Sequence, residues 1–262
     1  MILLALDSSG LVASTAIATE ERILAEYTTN YKKTHSQTLL PMIAEITKMT
    51  ETDLSTITAV AVTAGPGSFT GLRIGSATAK GLAQALGKPI ISVPTTLALA
   101  WNFAGEDAVI CPLMDARRSQ VYTGLYSRDP ETGMPKSLLG QVAVPVEEII
   151  ERVNEIGRPV VYLGDGTDVY KDILKEKTKV PYRIAATHQN RQSAASLAAC
   201  AFSWLHEKQL TDAQAVEEAA KANKTVSESE VSVTDAASFV PIYLRKSQAE
   251  REREEQIGQE NA

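Results

Sequence analysis

Three apolar runs separated by short polar turns open the chain: Ile2 to Leu6, Val12 to Ala18 and Ile23 to Tyr27, divided by Asp7-Ser-Ser-Gly10 and Thr19-Glu-Glu-Arg22. Runs of this length bounded by turn residues predict a β-meander. From Ser36 to Met49 the apolar period changes, and Leu39, Leu40, Ile43 and Ile46 fall along one helical stripe. Pro41 lies in the first turns of that helix, where its missing N–H costs little. A strand is predicted over Ile57 to Val62, then a glycine-rich loop, a helix from Thr70 to Leu86 and a strand from Ile90 to Val93. The order is β-β-β-α-β-α-β.

The pattern restarts at Ile110. Ile2-Leu-Leu-Ala-Leu-Asp7 and Ile110-Cys-Pro-Leu-Met-Asp115 both read as apolar strands closed by Asp, 108 positions apart, and each turns into a further strand, Val12 to Ala18 or Gln120 to Tyr126. The order is that of the ribonuclease-H-like unit of the actin and sugar-kinase (ASKHA) superfamily. The expected class is therefore α/β, with two such lobes, mixed sheets flanked by helices, and a cleft between them. The expected division is 1–104 for the first lobe, 105–210 for a reduced second lobe and 211–262 for a C-terminal extension. Within the second lobe, helices are predicted over Val146–Ile156, Asp168–Lys175 and Ala194–Lys208, and a strand over Val160–Leu163 leading into Gly164-Asp-Gly166. Thr211 to Ala237 is rich in Ala, Glu, Ser, Thr and Lys and is expected to be partly mobile. Phe239-Val-Pro-Ile-Tyr-Leu244 is expected to dock, and 245–255 to form a solvated helix in which an Arg251–Glu255 pair adds little.

The glycine loop, Thr63-Ala-Gly-Pro-Gly-Ser-Phe-Thr-Gly-Leu-Arg-Ile-Gly75, sits where phosphate-binding loops sit, between a strand and a helix. Its spacing argues against that chemistry. A P-loop needs Lys-Ser/Thr after its last glycine, and Leu72 follows Gly71. The dinucleotide fingerprint needs Gly-x-Gly-x-x-Gly, and Gly65, Gly67 and Gly71 are one residue too wide. Ser68 lies in Gly-Ser-Phe-Thr-Gly rather than in the Gly-x-Ser-x-Gly of a nucleophile elbow, so a peptidase reading fails on spacing. Along the following helix Gly71, Gly75 and Ala79 recur every fourth residue, beside Thr78 and Leu82, and Gly75 and Gly81 lie inside the helix, where each costs roughly 1 kcal/mol relative to Ala. A stripe without side chains admits another backbone. Two sources stand at this point, the chain's own fold or a partner.

Composition narrows the class. The chain has 262 residues, 44% hydrophobic and 22% charged, and a net charge of −6. An acidic total disfavours direct tracking of a nucleic-acid backbone. Cys111 and Cys200 form no metal spacing and no disulfide framework, and are expected as buried thiols. Met1-Ile-Leu-Leu-Ala-Leu-Asp7 lacks a basic segment and predicts a strand rather than a signal peptide. No apolar run reaches the ~20 residues that span a membrane. A cytoplasmic location is expected.

Strand-Asp7-Ser-Ser9, the long glycine motif and Pro241-Ile-Tyr-Leu-Arg245 together resemble the bacterial TsaB (YeaZ) family. The resemblance implies a non-catalytic subunit of the machinery that makes threonylcarbamoyladenosine beside the tRNA anticodon. Its partners would be a TsaD-type catalytic subunit and a TsaE-type ATPase, with tRNA contacted indirectly and a homodimer formed in isolation. Pairing would use the first two helices, placing Leu39, Leu40, Ile43, Gly71, Leu72, Gly75, Thr78, Ala79 and Leu82 at the partner. The motif loop would be Gly65, Pro66, Gly67, Ser68, Phe69, Thr70 and Arg73. On that reading a leucine at Gly75 blocks pairing without unfolding the monomer.

The resemblance also implies where chemistry is missing. The catalytic relative holds its metal with two histidines four apart, after the strand that follows the glycine-loop helix. Those positions fall on Thr95 and Leu99, so no metal or other cofactor and no catalytic residue is expected here. In nucleotide-binding members of the superfamily an Asp ending the first strand holds Mg²⁺ through water. Asp7, Ser8 and Ser9 are thus a candidate degenerate nucleotide site, with Asp115 as its second-lobe echo. The other reading is that Asp and Ser close a turn through nearby N–H groups. The alternative function is an independent small-molecule kinase or ATPase that uses Asp7 in the interlobe cleft. Arg117 and Arg118 are either a solvated turn or a phosphate contact.

Overall fold

The computed structural model describes residues 1–31 and 33–245, and among these the strands form two sheets of one topology. In the first, β1 (Ile2–Asp7), β2 (Ala13–Thr19) and β3 (Ile23–Thr29) form an antiparallel meander. The strands β4 (Ala59–Gly65) and β5 (Ile90–Pro94) join β1 in parallel on its other side. In the second sheet β6 (Val109–Asp115), β7 (Gln120–Arg128) and β8 (Pro135–Pro145) form the meander. The short β9 (Val160–Leu163) and β10 (Tyr182–Ile184) run parallel to β6. The orders β3-β2-β1-β4-β5 and β8-β7-β6-β9-β10 correspond strand for strand. Asp7 and Asp115 end equivalent first strands. The duplication is therefore written in the backbone hydrogen bonds, and the class is the two-lobed ribonuclease-H-like α/β fold.

The central strands are apolar throughout because both their faces are covered. Alternate side chains of β1 and β4 take opposite sides. Leu4, Leu6, Val60 and Val62 point into a core closed by helices α1 (His35–Met49) and α2 (Phe69–Leu86). Leu3, Ala5, Ala59 and Ala61 point into a second core. That one is covered by a helix the sequence division assigned to the second lobe. Ala194–Glu207 packs Leu197, Ala198, Ala201 and Leu205 onto the first sheet. Alanine on both surfaces sets a close approach, and apolar periodicity by itself does not say which sheet a helix covers.

The segment expected to be partly mobile contains two ordered elements. A helix over Ala213–Ala222 buries Val216 and Ala220 in the same core. The strand β11 (Ser232–Thr234) pairs antiparallel with β5 as the sixth strand of the first sheet, with Val231 and Val233 buried. Its polar composition hid four apolar anchors. The docking segment is seated: Phe239 is fully buried and the Ile242 N–H donates to the Ala64 carbonyl at 2.7 Å. Apart from Arg245, the expected helix over 245–255 lies outside the described residues.

Between the sheets, α3 (Thr95–Ala100) joins the lobes, with Leu99, Ala100 and Phe103 in one cluster with Ile110, Met114 and Tyr126. The expected helix over 168–175 is two short ones, α4 being Val146–Ile156 and the pair being α5 (Gly166–Val169) and α6 (Lys171–Lys177), hinged at Tyr170. In chain order α7 is then Ala194–Glu207 and α8 Ala213–Ala222.

Candidate functional site

The glycine loop receives two other segments of its own chain. The Ser68 N–H donates to the Ser9 carbonyl at 2.7 Å, and the Ser68 hydroxyl accepts from the Gly71 N–H at 3.3 Å, capping α2. A Cβ at Gly67 would strike the Ser9 carbonyl, one at Gly71 the Ser8 carbonyl, and one at Gly75 the Ser8 hydroxyl. A Cβ at Gly65 would strike the Ile242 carbonyl. The bare stripe thus admits the turn after β1, and the loop start admits the C-terminal strap. His35, opening α1, adds a bond from its Nε2 to the Gly10 carbonyl at 2.9 Å.

This placement corrects the expected partner face. Leu39, Ile43, Gly71, Leu72, Gly75 and Ala79 are buried within the monomer. Leu40 is 54% exposed, and Thr78 and Leu82 are half-buried. The residues the helix pair exposes include Leu40, Pro41, Ala44, Glu45 and Lys48 from α1 and Ala77, Gly81, Gln84 and Ala85 from α2, with Arg73 nearer the glycine-loop end of α2. A Cβ at Gly81 meets open space. Ala77, Gly81 and Ala85 form a second four-residue series, shifted by two positions from the buried one; nothing in the sequence ranks one above the other. A leucine at Gly75 would disrupt the turn after β1, so it is not a test of pairing.

Asp7 is closed in. Its Oδ1 accepts from the Ser9 N–H at 2.9 Å and from the Ser9 hydroxyl at 2.7 Å, and the residue is 1% exposed. Burial raises its carboxyl to about 6, against the opposing pull of the Ser9 and Thr63 bonds and the His35 imidazole. Asp7, Ser8 and Ser9 are brought together as a self-satisfied turn, with the Ser8 hydroxyl donating to the Gly71 carbonyl. Pro66 is buried, Phe69 is half-buried, and Ser68, Thr70 and Arg73 are exposed.

The second-lobe counterpart is more open. Asp115 accepts from the Arg117 N–H at 2.9 Å and the Tyr170 hydroxyl at 3.0 Å, and pairs with the Arg117 guanidinium at 3.2 Å. Arg117, Arg118 and Ser119 all adopt positive φ, at 64°, 57° and 58°. Their turn is tied to the strap by Arg245, whose guanidinium donates to the carbonyls of Ala116 and Arg117. Gly164 and Gly166 admit the Leu113 carbonyl. Burial raises the carboxyl of Asp165, and the Asp115 charge adds to the rise.

Thr95 and Leu99 are buried in the contact between lobes, Leu99 beside Phe103 and Tyr126. These residues do not fit a metal ion, since leucine offers no donor. Among the described residues no group of three His, Cys, Asp or Glu side chains is placed to hold one. Among them, too, no helix is long and apolar enough to cross a membrane. Cys111 and Cys200 are buried and free.

The family model for TsaD, tRNA N6-adenosine threonylcarbamoyltransferase, matches residues 22–253. The tRNA threonylcarbamoyladenosine biosynthesis protein TsaB of Bacillus subtilis is 35% identical over 195 residues, 74% of this chain and 84% of the relative. Its Escherichia coli counterpart is 33% identical over 179 residues, 67% of this chain and 76% of the relative. The structure of YeaZ from Pseudomonas aeruginosa superposes with a TM-score of 0.70 at 25% identity, covering 93% of this chain and 99% of that one. The chain belongs to the TsaB (YeaZ) family.

Proposed function

We propose that this chain is a non-catalytic scaffold in the synthesis of threonylcarbamoyladenosine on tRNA. It pairs with a TsaD-type catalytic subunit through the outer face of α1 and α2, helps recruit a TsaE-type ATPase, and works in the cytoplasm, where it self-pairs when the catalytic subunit is absent. The names of its TsaB relatives support the pathway. The observation that carries the pairing is the exposed helix face itself. Leu40, Pro41 and Ala44 on α1 and Ala77, Gly81 and Ala85 on α2 are exposed, and the open space over Gly81 leaves room for a facing helix. An apolar and small-residue face on two adjacent helices suits ridge-into-groove packing. The non-catalytic reading is supported by Thr95 and Leu99 at the positions where the resemblance puts metal ligands.

Co-expression tests the pairing. The double variant Ala77→Arg/Gly81→Arg should fold with a melting temperature no lower than that of the parent chain and fail to co-purify with the catalytic subunit. Co-purification at full yield would show that the face lies elsewhere. The scaffold reading has its own control: the isolated chain should leave tRNA unmodified in the presence of the activated substrate, and modification by the chain alone would overturn it.

A further inference from the structure

An aromatic stack and several exposed arginines lie on three segments far apart in sequence that the structure ties together through Tyr243 and Arg245. The rings of Phe69, which opens α2, and Tyr243, in the C-terminal strap, are stacked at 4.8 Å with planes 5° apart. Tyr243 is 39% exposed. One helical turn past Phe69 stands Arg73, exposed to solvent. Two residues past Tyr243 stands Arg245, which holds the carbonyls of Ala116 and Arg117 and so fixes the Arg117–Ser119 turn beside the strap.

That turn is held from several sides in a backbone conformation that non-glycine residues seldom adopt. Asp115 takes the Arg117 N–H, Arg245 takes two carbonyls, and the Ser119 carbonyl accepts from the Val146 N–H at 3.1 Å. The result is display. The Arg117 side chain is 85% exposed and Arg118 is exposed beside it. Among the described residues neither Arg118 nor Arg73 has an ion-pair partner.

A chain of net charge −6 that sets exposed guanidinium groups about a half-exposed aromatic stack, those of Arg73 and Arg118 without an ion-pair partner among the described residues, has a definite chemical complement. Phosphates suit the arginines, and a splayed base extends the stack, because every base has a π-face and loop nucleotides expose theirs. We propose that these residues bind RNA directly, with Arg73 and Arg118 on phosphates and an unpaired loop base stacked on Tyr243. The inference rests on the tRNA reading above and departs from the expectation that tRNA is met only through partners. The acidic total does not oppose it, since the cations are local.

The probe is the anticodon stem-loop RNA of a tRNA reading an A-initial codon, with a fully paired duplex of equal length as comparator. Binding is measured by fluorescence anisotropy across a salt series, with the full chain alone and in complex with the catalytic subunit. Arg73→Glu/Arg118→Glu, at exposed positions, should weaken stem-loop binding about tenfold or more. It should also flatten the salt dependence by about one to two in log–log slope. Tyr243→Ala should weaken stem-loop binding more than duplex binding. Unchanged affinity and slope in the double variant overturn the proposal. So does a double variant that loses the catalytic subunit while its own RNA affinity is intact, because the two arginines then serve a protein. If the chain binds RNA as described and never pairs with the catalytic subunit, the scaffold reading falls and the RNA assignment stands.

Discussion

The Ser8 hydroxyl donates to the Gly71 carbonyl at 2.9 Å, while the Ser8 carbonyl occupies the place a Cβ on Gly71 would take. The turn after the first strand and the second helix are therefore one interlocked unit. The same close approach recurs between Gly67 and Ser9 and between Gly65 and Ile242. A motif that looks like a phosphate loop is, in this chain, filled by protein backbone.

Two glycine substitutions in the same helix should have opposite signs. Gly71→Ala forces backbone against backbone and should cost about 1–3 kcal/mol, the range of overpacking. Gly81→Ala meets nothing and should add about 1 kcal/mol through helix propensity. Urea unfolding with matched slopes separates them. Equal effects at the two positions would contradict the interlock.

The strap is predicted to be a structural part of the first lobe. Phe239 is fully buried, and Phe239→Ala should cost roughly 3 kcal/mol and lower the melting temperature by roughly 6 °C or more. Lys80, which donates to the carbonyls of Ala237 and Phe239, remains to hold the backbone. A calorimetric shift of only a degree or so would mean the segment is peripheral.

Asp7 should make stability fall as pH rises. Its folded value, about 6, lies above the ordinary 3.8, so the folded state holds the proton more tightly than the unfolded chain. Its favourable contribution is full below about pH 4 and is lost as pH rises through about 6, a swing of ~3 kcal/mol at most. Asp7→Asn keeps an acceptor for the Ser9 N–H and hydroxyl and cannot ionise. The variant's stability relative to wild type should rise by ~2 kcal/mol between about pH 4.5 and about pH 7.5. A difference that does not vary with pH would show that the carboxyl is not shifted.

Both thiols should be silent in the native protein. Burial pushes Cys111 up to about 12 and raises Cys200 as well, and the thiolate is the reactive form. Ellman's reagent should label both only as fast as the protein unfolds. Rapid native labelling of either would show a more open core.

The lobed architecture was legible because its signals are local and repeated. Apolar runs ended by Asp7 and Asp115, with the same strand rhythm after each, announce a duplicated unit without any tertiary information. Elements that carry little apolar periodicity were not legible: β8 is exposed along most of its outer face, and α8 and β11 are anchored by a few residues in a polar stretch. The candidate site divided in the same way. The glycine stripe was visible, as was the need for something to lie against it.

The amino-acid order alone determined the strand-turn-helix units and the positions where a backbone must pass close, and the resemblance marked Thr95 and Leu99 as places where a histidine pair is absent. Only the tertiary structure decided which backbone passes, that α7 covers the first sheet, that Gly81 and not Gly75 faces outward, and that Tyr243 stacks on Phe69 while Arg245 holds the turn after β6. The physical reason is range. Turn chemistry and periodicity act over a few residues, whereas burial and close approach are set by segments distant in sequence, 63 positions apart for Ser8 and Gly71, and a period of four on a helix does not say which of its faces turns toward the core.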